Sequence, residues 1–343
     1  MRAMLLERLG PITGGREFLR LAELLVPAPG PGEVLIRVHT CGVCHTELDE
    51  IEGRLSPPRL PVVLGHQVVG EIAAHGEGVT EPAVGSRVGA GWIAAACGTC
   101  TRCRAGDDNL CADFRATGRD IDGGYAEFMT VDARYAHPLP DGLDAVRAAP
   151  LLCAGAIGWR SLRLCALENG QRLGLTGFGG SGHLVLQLAR HLYPDSEVFV
   201  FARSEQTRRF ARGLGAAWAG HTDHTPPTPL DAIIDTTSAW VPVLRALECL
   251  APGGRLVINA IRKEDGDREA LRELDYEKHL WREREIKSVA NVAGRDIREF
   301  LNLAMAADLR PETEVYDLAD AGRALRELRA GGVKGAKVLR ISG

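Results

Sequence analysis

Residues 172–192 read RLGLTGFGGSGHLVLQLARHL. Arg172–Thr176 is a short apolar run with strand character, and His183–Leu192 repeats apolar residues at helical spacing. Between them lies a G-x-G-x-x-G turn formed by Gly177, Gly179, Gly180, Ser181 and Gly182. The bare pattern is common; strand, glycine turn and helix in that order is the context that marks a dinucleotide site. Glycines let the backbone approach a pyrophosphate, and the helix N-terminus favours its negative charge. A glycine-rich turn without a ligand is the alternative reading.

Outward from this turn the same alternation continues. Glu197–Ala202 reads as a strand and Glu205–Leu214 as a helix. Asp231–Asp235 and Arg255–Ala260 read as buried strands, with a helical stretch over Val241–Leu250 between them. This predicts a parallel sheet wrapped by helices from about Leu151 onward. Upstream, Glu33–Thr40 alternates apolar and polar residues, and short strand-like runs follow at Val68–Ala73, Arg87–Ala90 and Tyr125–Val131. Pro27–Gly32 and the Pro-rich Thr225–Pro229 read as a turn and a surface loop. Lys337–Ile341 is expected to return to the first domain as a strand. The chain is therefore read as α/β with two domains, a β-rich one over 1–153 and 291–343 and a doubly wound parallel-sheet domain over 154–290. Its 343 residues suit two domains of ordinary size.

The end of the second strand, Ala202-Arg203-Ser204, bears on cofactor choice. An acidic residue there would bond the ribose 2′-hydroxyl and favour NAD. None is present, and Arg203 suits a 2′-phosphate, so NADP(H) is favoured over NAD(H). The alternative is that Arg203 merely starts a solvated helix or stacks on adenine.

Cys97, Cys100, Cys103 and Cys111 place four thiols within fifteen residues. Tetrahedral zinc takes four such ligands, and a closed shell of thiolates makes a structural site. Gly98 and Gly106 ease the turns of such a loop. Core cysteines and an iron–sulfur cluster are the alternatives, and the spacing to the fourth cysteine fits a cluster poorly. A second group comprises Cys44 in Gly42–Thr46, His66 in Gly65–Gln67, and Cys153. Together they would supply the three ligands of a catalytic zinc with an open position. Cys41-Gly42-Val43-Cys44-His45 also matches a haem-attachment pattern, and a lone His66 is by default a satisfied core or surface histidine. Cys41 is assigned to the core. The net charge of −4 gives no reason to expect nucleic acid or an anionic membrane as partner. No apolar stretch approaches a membrane span. Nine cysteines without an export segment point to a reducing cytoplasm.

Taken together, the segments GVCHTEL and GHQVVG, the four-cysteine lobe, Gly123–Phe128, the Cys153 segment and the glycine turn resemble the zinc-containing medium-chain alcohol dehydrogenases. The resemblance spans essentially the whole chain. It implies a GroES-like catalytic domain and a Rossmann domain with the active site in the cleft between them. It implies two zinc ions per chain, one catalytic on Cys44, His66 and Cys153 and one structural in the lobe. By the same resemblance Thr46 takes the alcohol proton, His45 meets the cofactor pyrophosphate, Trp92 lines the substrate pocket and Arg295 is a cofactor contact. Two positions depart from the family pattern. Gln67 stands where many members have a glutamate, which would leave the zinc more positive. Asp49 stands where many have the histidine that ends the proton relay, and an ordinary carboxyl fits that task less well. The implied reaction interconverts an alcohol with its aldehyde or ketone by hydride transfer, in a homo-oligomer (dimer or tetramer). Carbonyl reduction, polyol oxidation and a zinc-stabilised nucleotide sensor without turnover are the other readings.

Overall fold

The computed structural model describes residues 1–12, 17–331 and 335–342. The chain divides into two compact units. One comprises Met1–Ala156, Val292–Met305 and Arg310–Gly343, and the other Ile157–Asn291 with Ala306–Leu309.

The first unit is organised by Glu33–Val43, an eleven-residue strand whose apolar side chains are nearly all buried. It pairs antiparallel with Val68–His75 on one side, Ala336–Arg340 on the other, and Phe128–Asp132 along its first half. Arg87–Ala90, His137–Pro138 and Thr313–Asp317 complete a seven-stranded sheet. The strand runs past Thr40, where the alternation seemed to end, because Cys41, Gly42 and Val43 pair with Leu339, Val338 and Lys337. The C-terminal strand thus returns to this unit as expected and carries the central strand up to the residue before Cys44. Gly70 permits a close approach of neighbouring strands: a Cβ there would lie 2.1 Å from the Arg37 carbonyl oxygen. Arg2–Leu6, Leu19–Glu23 and Val62–Val63 form a separate three-stranded sheet. Leu6, Ile36, Val38, Cys41, Leu64, Tyr125 and Met129 belong to the shared core. Cys41 is fully buried there, in keeping with its assignment.

The second unit is a six-stranded parallel sheet. Its strands are β1 (Arg172–Thr176), β2 (Glu197–Phe201), β3 (Trp218–Gly220), β4 (Leu230–Asp235), β5 (Leu250–Ile258) and β6 (Glu285–Ser288), in the order β3-β2-β1-β4-β5-β6. Every neighbouring pair is parallel. Helices Gly182–Leu192, Glu205–Gly213 and Val241–Cys249 lie between successive strands in the chain. Parallel strands need such crossovers, and burial on both faces explains the apolar runs in β1, β2 and β4. The register aligns the carboxyl ends in one row: Gly220, Phe201, Thr176, Asp235, Ile258 and Ser288. Strand order reverses between β1 and β4, where doubly wound sheets receive their ligands.

The central strand of the first unit carries its core. Ile36→Ala, at a fully buried position opposite Ile72, is expected to destabilise that unit by about 3 kcal/mol. Chemical denaturation followed by circular dichroism checks this; an unchanged midpoint would show that the strand is not the core's keystone.

Candidate functional site

Immediately after the central strand the chain turns into a short helix, α1 (His45–Ile51). The sequence reading did not foresee it, although its start signal is visible. Cys44 is the N-cap in extended conformation, and Glu47, three residues on, reaches back to accept from the Cys44 backbone N–H at 2.7 Å. This is a capping box with sulfur in place of a hydroxyl. The cap fixes Cys44 Sγ at the end of the sheet and leaves Thr46 Oγ1 3.8 Å from it.

Glu47 also does a second thing. Its Oε1 lies 2.6 Å from His66 Nδ1, with both side chains essentially fully buried. That contact orients the ring, and Nε2 points the other way, 3.3 Å from Cys153 Sγ. Trp92, buried, meets the imidazole edge-on at 5.1 Å between centroids. Cys153 itself rides on a π-helical turn, Leu151–Gly155, directly after Pro150. Proline lacks the N–H that would continue the regular ladder, and such wide turns occur often at functional sites. The ligand atoms of Cys44, His66 and Cys153 lie within 4.8 Å of one another.

The electrostatics of these three groups suit a cation. A hydrogen bond from Cys153 holds the Cys44 thiol well below its ordinary range against the opposing effect of burial, with further help from His66. The same contact with Cys44, together with burial, pushes Cys153 well above it. Ligation by a divalent ion would take both sulfurs as thiolates and neutralise their charge. Two soft sulfurs and an imidazole with a carboxylate behind it form the donor set of an open zinc site. Glu47 is the functional residue that the sequence reading missed. It places a carboxylate behind His66, so the neutral, buried Gln67 does not by itself decide the charge of the site. Gln67 packs instead against Gly42, where a Cβ would come within 2.3 Å of its Oε1.

Other expected site residues fall as follows. His45 is exposed at the first position of α1. Asp49 is buried and bonds Arg54 Nε through Oδ1 at 2.6 Å, so its carboxylate already has a cation. Arg295 donates through Nη2 to Asp107 at 2.6 Å and through Nη1 to the Ala105 carbonyl at 3.2 Å. Its guanidinium thus braces the cysteine lobe.

The lobe gathers Cys97, Cys100, Cys103 and Cys111, again within 4.8 Å. Backbone N–H groups of Cys100 and Cys103 each donate to the preceding cysteine's sulfur at 3.4 Å. Backbone hydrogen bonds, the Thr99 amide first, lower Cys97 to about 6. Gly98 and Gly106 turn the loop at φ +76° and +75°, and a Cβ on Gly98 would strike Arg134 Nη1 at 2.4 Å. Four sulfurs fill a tetrahedral shell and leave no place for substrate.

In the second unit the glycine turn follows β1 as expected. Gly177 has φ +82°, and a Cβ there would lie 2.5 Å from Thr236 Oγ1. A Cβ on Gly182 would meet the Gly177 carbonyl at 2.9 Å. Ser181 is the N-cap of the following helix but makes no capping bond, and its buried Oγ has no partner. A free donor at a helix N-terminus fits a phosphate. At the end of β2, Ala202 is buried and Arg203 exposed, while the Ser204 hydroxyl caps the next helix by accepting from Thr207 N at 3.1 Å. Arg208 Nη1 donates to the carbonyls of Ala202 and Arg203 at 2.7 and 2.8 Å, which stiffens this corner. The nearest acid in sequence, Glu205, pairs with Arg208, Arg209 and Arg212.

Comparison with known proteins gives a consistent picture. Residues 30–141 match the alcohol dehydrogenase GroES-like domain, and residues 202–339 match a zinc-binding dehydrogenase domain. A probable alcohol dehydrogenase AdhA of Mycobacterium tuberculosis is 44% identical, over 99% of this chain and 97% of that one. An alcohol dehydrogenase of Geobacillus stearothermophilus is 30% identical over 95% and 96% of the two chains. Among solved structures, an NAD-dependent alcohol dehydrogenase superposes with a TM-score of 0.88 at 27% identity over the full length of both. A thermostable alcohol dehydrogenase from Pyrobaculum aerophilum with cobalt and zinc bound gives 0.87 at 26% identity, over 99% of each chain.

Glu47→Gln keeps the shape of the carboxyl group but removes its charge. It is expected to weaken zinc retention at Cys44, His66 and Cys153 by about 10–100-fold while the four-cysteine lobe keeps its metal. Competition with a chromogenic chelator measures both; equal loss from both sites would contradict the assignment. By fold, site and relatives, the chain belongs to the zinc-containing medium-chain alcohol dehydrogenase family.

Proposed function

We propose that this protein is a zinc-dependent alcohol dehydrogenase that interconverts an alcohol and its aldehyde or ketone with a nicotinamide dinucleotide. The observation that carries this reading is the convergence of Cys44, His66 and Cys153 within 4.8 Å, with Thr46 Oγ1 alongside. The zinc such a set would hold supplies Lewis-acid polarisation of the substrate oxygen, and the nicotinamide carries the hydride. The chain's own residues do the rest. Glu47 keeps His66 turned toward the sulfurs. Thr46, buried beside Cys44, accepts the alcohol's proton on its hydroxyl oxygen and gives up its own. Asp49 lies on the same helix one turn further, but its pairing with Arg54 makes it a poor final acceptor. The proton's onward route from Thr46 would therefore lead to solvent water rather than to Asp49. Trp92 forms an apolar wall against His66.

The second zinc is assigned to the lobe, as a brace without chemistry. Arg295 and Asp107 tie that brace to the start of the helix Gly294–Ala306. Cysteine rather than a carboxylate at position 153 supports simple alcohols over polyols. A sensor without turnover is disfavoured by the complete set of metal ligands and proton acceptor.

NADP(H) is favoured over NAD(H). No acid stands at the end of β2, Glu205 is already bound to arginines, and exposed Arg203 is suited to a 2′-phosphate. A homo-oligomer is the expected working form. Strand β6 is an open edge, exposed along its length, with Ile286, Tyr276 and Trp281 uncovered in the same region. Among the described residues no helix is long and apolar enough to cross a membrane. A reducing cytoplasm suits a protein whose reaction and brace both need free thiols.

Cys44→Ser is expected to abolish turnover and lower zinc from about two ions per chain to about one, with the circular dichroism spectrum unchanged. Retained activity would remove Cys44 from the site. Initial rates over a panel of alcohols and aldehydes with both cofactors test the rest. Arg203→Ala should raise KM for NADP(H) about tenfold and leave NAD(H) nearly unaffected. A strong NAD(H) preference in the unaltered protein would overturn the assignment of Arg203.

A further inference from the structure

The cysteine lobe is fixed to the start of the helix Gly294–Ala306 by several contacts. Asp108 Oδ1 accepts from the Gly294 backbone N–H at 3.0 Å, and its Oδ2 accepts from the Tyr135 hydroxyl at 3.0 Å. Arg295 reaches back to Asp107 and to the Ala105 carbonyl at 2.6 and 3.2 Å. Ala105, Asp107 and Asp108 all fall between Cys103 and Cys111. The fit leaves little slack: a Cβ on Gly294 would lie 3.1 Å from Asp108 Oδ2, and one on Gly106 3.3 Å from Arg295 Cδ. A carboxylate suits the first N–H of a helix, where the helix dipole is positive. Asp296 closes the same end from within, accepting from Ala293 N at 2.8 Å.

Further along, the same helix meets the supports of the open site. Phe300 lies about 9 Å down the helix from Gly294 at a rise of about 1.5 Å per residue. A Cβ on Gly155 would lie 2.3 Å from Phe300 Cε1, so the ring rests directly on the turn Leu151–Gly155 that carries Cys153. A Cβ on Gly91 would lie 2.6 Å from Ile297 Cδ1 and 3.1 Å from the Leu152 carbonyl oxygen. Gly91 directly precedes Trp92, whose ring meets His66. Ile297 and Phe300 are both buried. Close-packed interiors have low compressibility, so a helix anchored at one end and packed at these points transmits a displacement rather than absorbing it.

We propose that residues 294–300 form a strut through which the cysteine lobe sets the position of Cys153, with Asp108 and Phe300 as its two contact points. The inference rests on the reading of both cysteine-containing clusters as zinc sites. Phe300 is a positioning residue that acts through the Leu151–Gly155 turn. Asp108 is a positioning residue one step further away, because it holds the end of the helix that carries Phe300. The lobe thereby shapes the open site without taking part in the reaction. Cutting the strut at either end lets the turn relax and the Cys153 sulfur move away from Cys44 and His66.

Competition with a chromogenic chelator on the zinc-loaded full chain tests this, with the absorption of cobalt(II) exchanged into the open site as a second readout. Asp108→Ala and Phe300→Leu should each weaken zinc binding at Cys44, His66 and Cys153 about tenfold and shift the thiolate-to-cobalt absorption. Asp108→Asn keeps an acceptor for Gly294 N and should retain open-site affinity within about threefold. In the double variant the loss should stay close to the larger single loss, because both changes cut one strut. Losses that multiply in the double variant would overturn the proposal. So would an unchanged open-site affinity in Asp108→Ala, whose partly exposed turn makes it the variant to rely on if Phe300→Leu fails to fold. A count of one zinc in the unaltered chain would instead remove the two-site reading itself.

Discussion

The contact between Glu47 and His66 is the constraint on which the site depends. A buried carboxylate at 2.6 Å from Nδ1 leaves Nε2 as the atom that faces the two sulfurs. The same Glu47 side chain closes the cap on Cys44, so one residue sets both the direction of the imidazole and the start of the helix carrying Thr46. Burial makes this arrangement expensive unless every partner is present, because low dielectric strengthens paired groups and penalises orphaned ones. A cation in contact with both sulfurs and Nε2 would complete the charge balance.

The two clusters that could hold a metal ion are built on opposite principles. The lobe is local: its four cysteines follow one another along a loop, and N–H groups of the loop itself support the sulfurs. The open site is assembled from three distant parts of the chain. Cys44 is placed by the end of the central strand, His66 by the segment leading into Val68–His75, and Cys153 by a π-helical turn that Pro150 introduces. The central strand therefore has to run to Val43, and its last residues are held there by the C-terminal strand on one side and by Gln67 and Val68 on the other. Packing at the far end of the chain thus reaches the metal site through backbone register.

Much of this was legible in the sequence. The lobe and glycine turn could be read because their residues are neighbours and their spacing is itself the geometry. β1, with its six-residue turn and following helix, appears within one residue of the bounds read from periodicity. The open metal site could be named only through family resemblance, since no local spacing relates Cys44, His66 and Cys153. Glu47 was overlooked because its role depends on where His66 lies in space. Its capping-box signal three residues after Cys44 was present but sits on a cysteine rather than the usual serine or threonine. The engagement of Arg295 with Asp107, and of Asp49 with Arg54, likewise depends on tertiary placement.

The central claim is that two different zinc sites exist, one of four sulfurs and one of two sulfurs and an imidazole. X-ray absorption at the zinc edge on the fully loaded protein tests it most directly. The account predicts an average of about three sulfurs per zinc at about 2.3 Å, with a distinct imidazole contribution. A first shell of about four sulfurs without imidazole, at one zinc per chain, would contradict it.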